Sequence, residues 1–152
     1  MFIELKDTLI NLEQVSNVGF LHNKGRIVFN FSHSIELETN KVWSTIADYR
    51  YFTASSEEEY NEKKKEVQDV LSSLGFINST RGNHYWVNKS KVSYITTDGH
   101  KNRLIFNLST SITKNTTKGI SLINDFVFWD YSSVDDFNKG MLETQLKLKG
   151  NS

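Results

Sequence analysis

From Arg26 the chain alternates: Ile27, Phe29, Phe31 and Ile35 fall on one parity, with Asn30, Ser32 and Ser34 on the other. A period of two held this long predicts a strand with one buried face. His33 shares the apolar parity, so a packed structural histidine is expected there. Short extended pieces precede the strand at residues 10–12 and 15–21, and HNKG carries the Asn and Gly punctuation of a hairpin turn. Residues 42–52, rich in aromatic and β-branched side chains, predict a fourth strand. Then the period changes. In SSEEEYNEKKKEVQDVLSSLGF, Ser56 stands three residues before Glu59 as a capping box, and Tyr60, Val67, Val70, Leu71 and Leu74 form one stripe. A helix ending at Gly75 follows.

The same design is written a second time. RIVFNFSHSI begins at Arg26 and RLIFNLSTSI at Arg103, an offset of 103 − 26 = 77 residues. Sliding the chain on itself by 77 aligns residues 10–61 with 87–138, 52 positions without a gap, of which 18 are identical. They include Asn11/Asn88, Val15/Val92, Ser16/Ser93, Lys24/Lys101, Arg26/Arg103, Asn30/Asn107, Thr39/Thr116, Lys41/Lys118, Asp48/Asp125 and Ser56/Ser133. Strands are expected again at 92–97, 103–114 and 120–129, a turn at DGHKN, and a helix opening at Ser133 with Val134, Phe137, Met141 and Leu148 on one face. Gly140 weakens that helix by about 1 kcal/mol relative to Ala. A solenoid needs three or more shorter repeats, so two copies of this size predict a tandem duplication with a pseudo-two-fold axis.

The expected fold is therefore α+β: a ββββα unit at residues 1–75, a linker at 76–84 and a second unit at 85–150, joined in one compact domain of antiparallel sheets backed by helices. This element order resembles the PC4/Whirly-like superfamily of single-stranded DNA-binding proteins, in which Whirly chains carry two such units and PC4 dimerises single ones. The resemblance implies that nucleic acid lies across the strands. It covers both repeats and rests on element order; Lys24-Gly25-Arg26 is only loosely similar to a Lys-Gly-Lys of the plant Whirly proteins and carries no binding residue over.

Composition narrows the chemistry. The 152 residues are 38% apolar and 12% aromatic, with no cysteine, which suits a globule in a reducing cytoplasm without disulfides or thiolate metal sites. MFIELKDTLI is too charged for a signal segment, and no run is long and apolar enough for a membrane span. The Asn, Lys and Ile bias suggests an AT-rich genome, such as that of a bacterium, its phages or a mobile element. Net charge is zero, yet residues 1–76 hold 8 basic and 12 acidic groups (8 − 12 = −4) and residues 77–152 hold 10 and 6 (10 − 6 = +4). Between Arg81 and Lys118 cations interleave with Tyr85, Trp86 and Tyr94, the mixture that single-stranded nucleic acid requires. Docking of the two oppositely charged halves explains the same pattern.

On the repeated strand the apolar face varies while Arg, Asn, Ser and Ser recur in place. Arginine can hold phosphate with two bonds, and Asn and Ser reach backbone or base edges. Arg26, Asn30, Trp86, Lys91, Tyr94, Lys101, Arg103 and Asn107 are thus the candidate nucleic-acid-binding residues. Cross-strand ion pairs Arg26–Asp48 and Arg103–Asp125 are the competing, structural explanation of the repeated arginines. Enzyme chemistry is unmotivated: His22, His33, His84 and His100 lack metal-ligand spacing, Asp135 and Asp136 open a helix, and no phosphate loop or nucleophile elbow is written. No cofactor is expected. The sequence points to a single-stranded nucleic-acid-binding accessory protein of replication, recombination or transcription. The alternative is a small interaction factor that modulates a host protein. Self-association is also open, because Trp43, Tyr49, Tyr51, Phe126, Phe128 and Trp129 exceed what one strand pair hides.

Overall fold

The computed structural model describes residues 1–40, 42–79, 84–117 and 119–150; Lys41, Arg81 and Lys118, which figure in the repeat and the basic stretch, lie outside them. The fold is mixed α+β, with mostly antiparallel sheets and two helices. The elements are β1 (Phe2–Glu4), β2 (Leu9–Asn11), β3 (Val15–Leu21), β4 (Arg26–Thr39), β5 (Val42–Thr53), α1 (Glu57–Ser73), β6 (Phe76–Ile77), β7 (Trp86–Asn88), β8 (Val92–Asp98), β9 (Arg103–Thr116), β10 (Gly119–Asp130) and α2 (Val134–Leu148). The first two residues of the expected linker are thus the buried strand β6. Element starts recur at the offset of the sequence repeat: 9 + 77 = 86, 15 + 77 = 92, 26 + 77 = 103, 42 + 77 = 119 and 57 + 77 = 134.

Local geometry recurs with them. Gly25 (φ 58) and Asn102 (φ 49) hold the same left-handed turn position, which Asn tolerates better than other residues with a side chain. Ser56 and Ser133 each accept the N–H of the third residue beyond, Glu59 and Asp136, at 3.1 Å, so both helices are capped as their sequences dictate. In the β4–β5 register Asn30 faces Tyr49 and Ser34 faces Ala47, leaving three residues opposite Asp48. In β9–β10 the shift falls at Asp125. Each aspartate accepts the next residue's N–H at 2.8 Å, Tyr49 in one strand and Phe126 in the other. The repeated aspartates therefore fix a repeated bulge. The bulge also breaks the parity that placed His33 inside: His33 is exposed and meets Asp48 at 3.0 Å.

The strands form sheets in the orders β5-β4-β3-β7-β6, β10-β9-β8 and β1-β2. One core gathers Ile3, Leu12, Val18, Phe29, Phe52, Tyr60 and Leu71 under α1. The other gathers Val87, Leu104, Phe106, Trp129, Tyr131 and Phe137 under α2. Strand β7 supplies Val87 to the second core while pairing with β3 of the first sheet, at Asn17↔Val87 and Val18↔Trp86. The junction continues where β9 packs across β4 and β5, with Thr45 N–H donating to Thr113 Oγ1 at 2.8 Å. Strand β8 has no second neighbour among the described residues. Neither helix is long and apolar enough to cross a membrane.

Candidate functional site

The core face of the first sheet is set by Val18, Ile27, Phe29 and Phe52, all buried. Strand alternation turns their neighbours Asn17, Arg26, Val28, Asn30, Tyr49 and Tyr51 to the other face. On that outer face the Tyr49 and Tyr51 rings stack with centroids 6.4 Å apart and 16° between planes. They keep 44% and 50% of their surface exposed. The Arg26 guanidinium carbon lies 4.4 Å from the Tyr51 ring centroid, within cation–π range. Arg26 has no carboxylate partner among the described residues, since β5 places Thr53 opposite it.

Beside this aromatic pair a closed amide network fixes the sheet surface. Asn30 Nδ2 donates to Asn17 Oδ1 at 2.9 Å, Asn17 Nδ2 to Ser16 Oγ at 2.9 Å, and Ser16 Oγ to the Asn30 carbonyl at 3.1 Å. The outer edge of β10 borders it and encloses a cleft of about 570 Å³ lined by Asn17, Asn30, His84, Tyr85, Asp125 and Phe128, among others. Tyr85 lies against Gly19, where any Cβ would overlap its ring. His84 stacks on Trp129 at 5.5 Å and 11°, and its Nε2 donates to the Asp130 carbonyl at 2.8 Å. Burial pushes the Asp125 carboxyl above its ordinary value, against the opposing pull of the Phe126 N–H. Amide and carboxyl groups together offer hydrogen bonds to the polar edge of a ring.

The candidate residues do not form one patch. Arg26 and Asn30 lie on the outer face of the first sheet, and Tyr94, Arg103 and Asn107 on that of the second. Trp86 is in the first sheet but shares the parity of buried Val18 and packs edge-to-face on Phe20 at 6.1 Å, so it covers the first core. Lys91 ends the single turn before β8, and Lys101 is exposed in the β8–β9 turn. Asn107 donates to Thr96 Oγ1 at 3.3 Å in the row that joins Tyr94 and Phe126.

The arginines also choose other partners than expected. Arg103 binds Asp130, not Asp125, with two bonds of 2.6 and 3.1 Å, and lies 3.9 Å from the Phe128 ring centroid. The Asp130 bonds, with Asp98 adding, hold its pKa above the ordinary value. Arg26 does not reach Asp48, which takes His33 and Arg50 instead. What repeats is arginine over an aromatic ring, Tyr51 in one half and Phe128 in the other (51 + 77 = 128).

Sequence reasoning missed Tyr49, Tyr51, Phe126 and Phe128 as site residues, although aromatics at i and i+2 in both fourth strands were the available signal. Phe126 and Phe128 stack at 6.2 Å and 27°, as the tyrosines do. Asn17 and His84 are not repeated as the same residue at the offset of 77 and gave no signal, while Tyr85 was read only as one of the aromatics of the basic stretch. Among the described residues no group of three or more His, Asp or Glu is placed to hold a metal ion. Comparison of the chain with protein-family models, with curated proteins and with solved structures gives no match.

Proposed function

We propose that this chain is a non-enzymatic, cytoplasmic single-stranded nucleic-acid-binding accessory protein, and that the outer face of its first sheet is the binding surface. The observation that carries the reading is the exposed Tyr49–Tyr51 stack with Arg26 over Tyr51. Aromatic faces on a strand stack unpaired bases without regard to sequence, and a cation beside them meets the backbone. The adjoining cleft, with its amides and the Asp125 carboxyl, offers bonds to a base edge. We read the two halves as tandem copies of a ββββα unit, in keeping with the recurrence of element starts at the repeat offset. The PC4/Whirly-like resemblance agrees with strands as the ligand face. A two-fold relation would return β2 to β8 in exchange for β7 on β3, whereas among the described residues β2 pairs with β1 alone; a head-to-tail relation of the halves describes this better.

Fluorescence anisotropy with a labelled single-stranded oligonucleotide tests the reading. With Arg26 the one cation placed beside the stack among the described residues, affinity should fall with salt at a shallow log–log slope of about −0.7. Absence of binding by micromolar protein at about 50 mM salt overturns it. One observation favours a protein-interaction factor instead: Arg103 stands between Asp98 and Asp130 in the register, so the second sheet offers apolar surface with its charge already matched. That reading predicts no oligonucleotide binding at any salt.

A further inference from the structure

We propose that copies of this chain associate head to tail, the β1–β2 hairpin of one copy adding to the open β8 edge of the next. The internal junction supplies the template. Strand β7 is the counterpart of β2, and β3 that of β8 (9 + 77 = 86; 15 + 77 = 92). Both β2 and β7 are second strands of a hairpin, with Phe2↔Asn11 in one and Phe76↔Asn88 in the other. Among the described residues only β7 of these two uses its outer edge, on β3. Of these four related strands, β2 and β8 therefore keep an open edge among the described residues, one in each half of the chain, and they are the complementary pair. Shifting the internal register by 77 pairs Tyr94 with Ile10 and Ile95 with Leu9 of a second copy.

Side chains at these positions fit the same junction. Asn88 caps the turn after β7 through Oδ1, at 3.1 Å from Ser90 N, and its Nδ2 donates across the junction to the Val15 carbonyl at 2.9 Å. Asn11 repeats the cap, 3.2 Å from Glu13 N, and in the assembled pair its amide meets the Val92 carbonyl. Tyr85 lies where Gly19 has no Cβ; the corresponding pair is Thr8 with Thr96, medium side chain against medium side chain. This difference keeps the hairpins in place, because Tyr85 cannot sit on Thr96. The two most exposed large apolar residues described, Leu122 at 68% and Leu9 at 64%, stand at the positions that Thr45 and Trp86 occupy in the internal junction. Strand β3 is buried along Val15–Gly19, whereas in β8 Ser93, Tyr94, Thr96 and Thr97 are exposed. An open edge beside uncovered apolar side chains is a site of strand addition. The contact is heterologous, so repetition closes a ring or extends a filament.

Light scattering coupled to size exclusion, run from micromolar to sub-millimolar protein, tests this. The parent chain should reach at least twice the single-chain mass. Leu9→Asp and Thr96→Lys, both at exposed positions, should each remain single chains with unchanged circular dichroism. Mixed in equal amounts they should form a two-chain species and nothing larger, because each retains one sound edge. Thr8→Tyr should abolish association, and Thr8→Tyr with Thr96→Gly, which rebuilds the Tyr85–Gly19 contact, should restore it. A parent chain that stays single throughout overturns the proposal, as does a variant mixture that stays single or grows past two.

Discussion

The Tyr131 ring occupies the space that a Cβ on Gly140 would need. The corresponding positions in the first half are Ala54 and Lys63 (131 − 77 = 54; 140 − 77 = 63), the small residue there standing where the second half has its tyrosine. Helix propensity alone makes Gly140→Ala favourable by about 1 kcal/mol. Against the Tyr131 ring it should instead destabilise, by on the order of 1–2 kcal/mol, since overpacking a closed contact displaces neighbours. In a Tyr131→Ala background the same substitution should stabilise. Urea midpoints at constant m measure both, and an equal sign in the two backgrounds contradicts the contact.

Two aspartates at the same bulge titrate in opposite directions. Burial raises the Asp125 carboxyl. Burial also raises Asp48, but His33, the Tyr49 N–H and Arg50 outweigh it and hold that carboxyl below its ordinary value. For Asp125 the folded state keeps its proton longer than the unfolded one, so the chain loses stability as pH rises through and above the ordinary carboxylate range. Asp125→Asn should therefore gain on the parent as pH rises from about 3 to 7. Asp48 contributes stability above the ordinary value and loses it as pH falls through the lowered one, so the deficit of Asp48→Asn should be largest near neutrality and shrink in acid. Melting temperatures across that range check the pair; parallel pH profiles for the two variants contradict it.

The helix starts and most strand limits were legible because each is written locally: a serine cap three residues before an acid, alternating parity, a Gly or Asn at a turn, and all of it twice. Parity failed where a bulge entered. Nothing in FSH, residues 31–33, announces that three residues face Asp48, so His33 was turned inward and the repeated aspartate was given to arginine. Strand β7 failed for a different reason: three residues are too few to state a partner, and their pairing with β3 is decided by packing far along the chain. That pairing moved Trp86 to the first core and dispersed the basic stretch. The aromatic pairs were visible as a surplus, but which were exposed depended on how the sheets meet.

The left-handed turn position offers a local test of the duplication. Gly25→Asn copies what Asn102 already does at φ 49, and should change stability by less than about 1 kcal/mol, while Gly25→Val, with a branched side chain at positive φ, should cost about 1–2 kcal/mol. Thermal or urea unfolding separates the two; an asparagine as costly as valine contradicts the equivalence of the turns.

The central claim is that Tyr51, with Arg26 over it, stacks an unpaired base. Anisotropy titration of a labelled single-stranded oligonucleotide with the parent chain, Tyr51→Ala and Tyr94→Ala tests it most directly. Loss of one stacked base costs about 1–3 kcal/mol, so Tyr51→Ala should weaken binding by about fivefold to a hundredfold. Tyr94→Ala, exposed on the other sheet, should leave it unchanged. Parent binding that Tyr51→Ala leaves intact, or that Tyr94→Ala abolishes, contradicts the account.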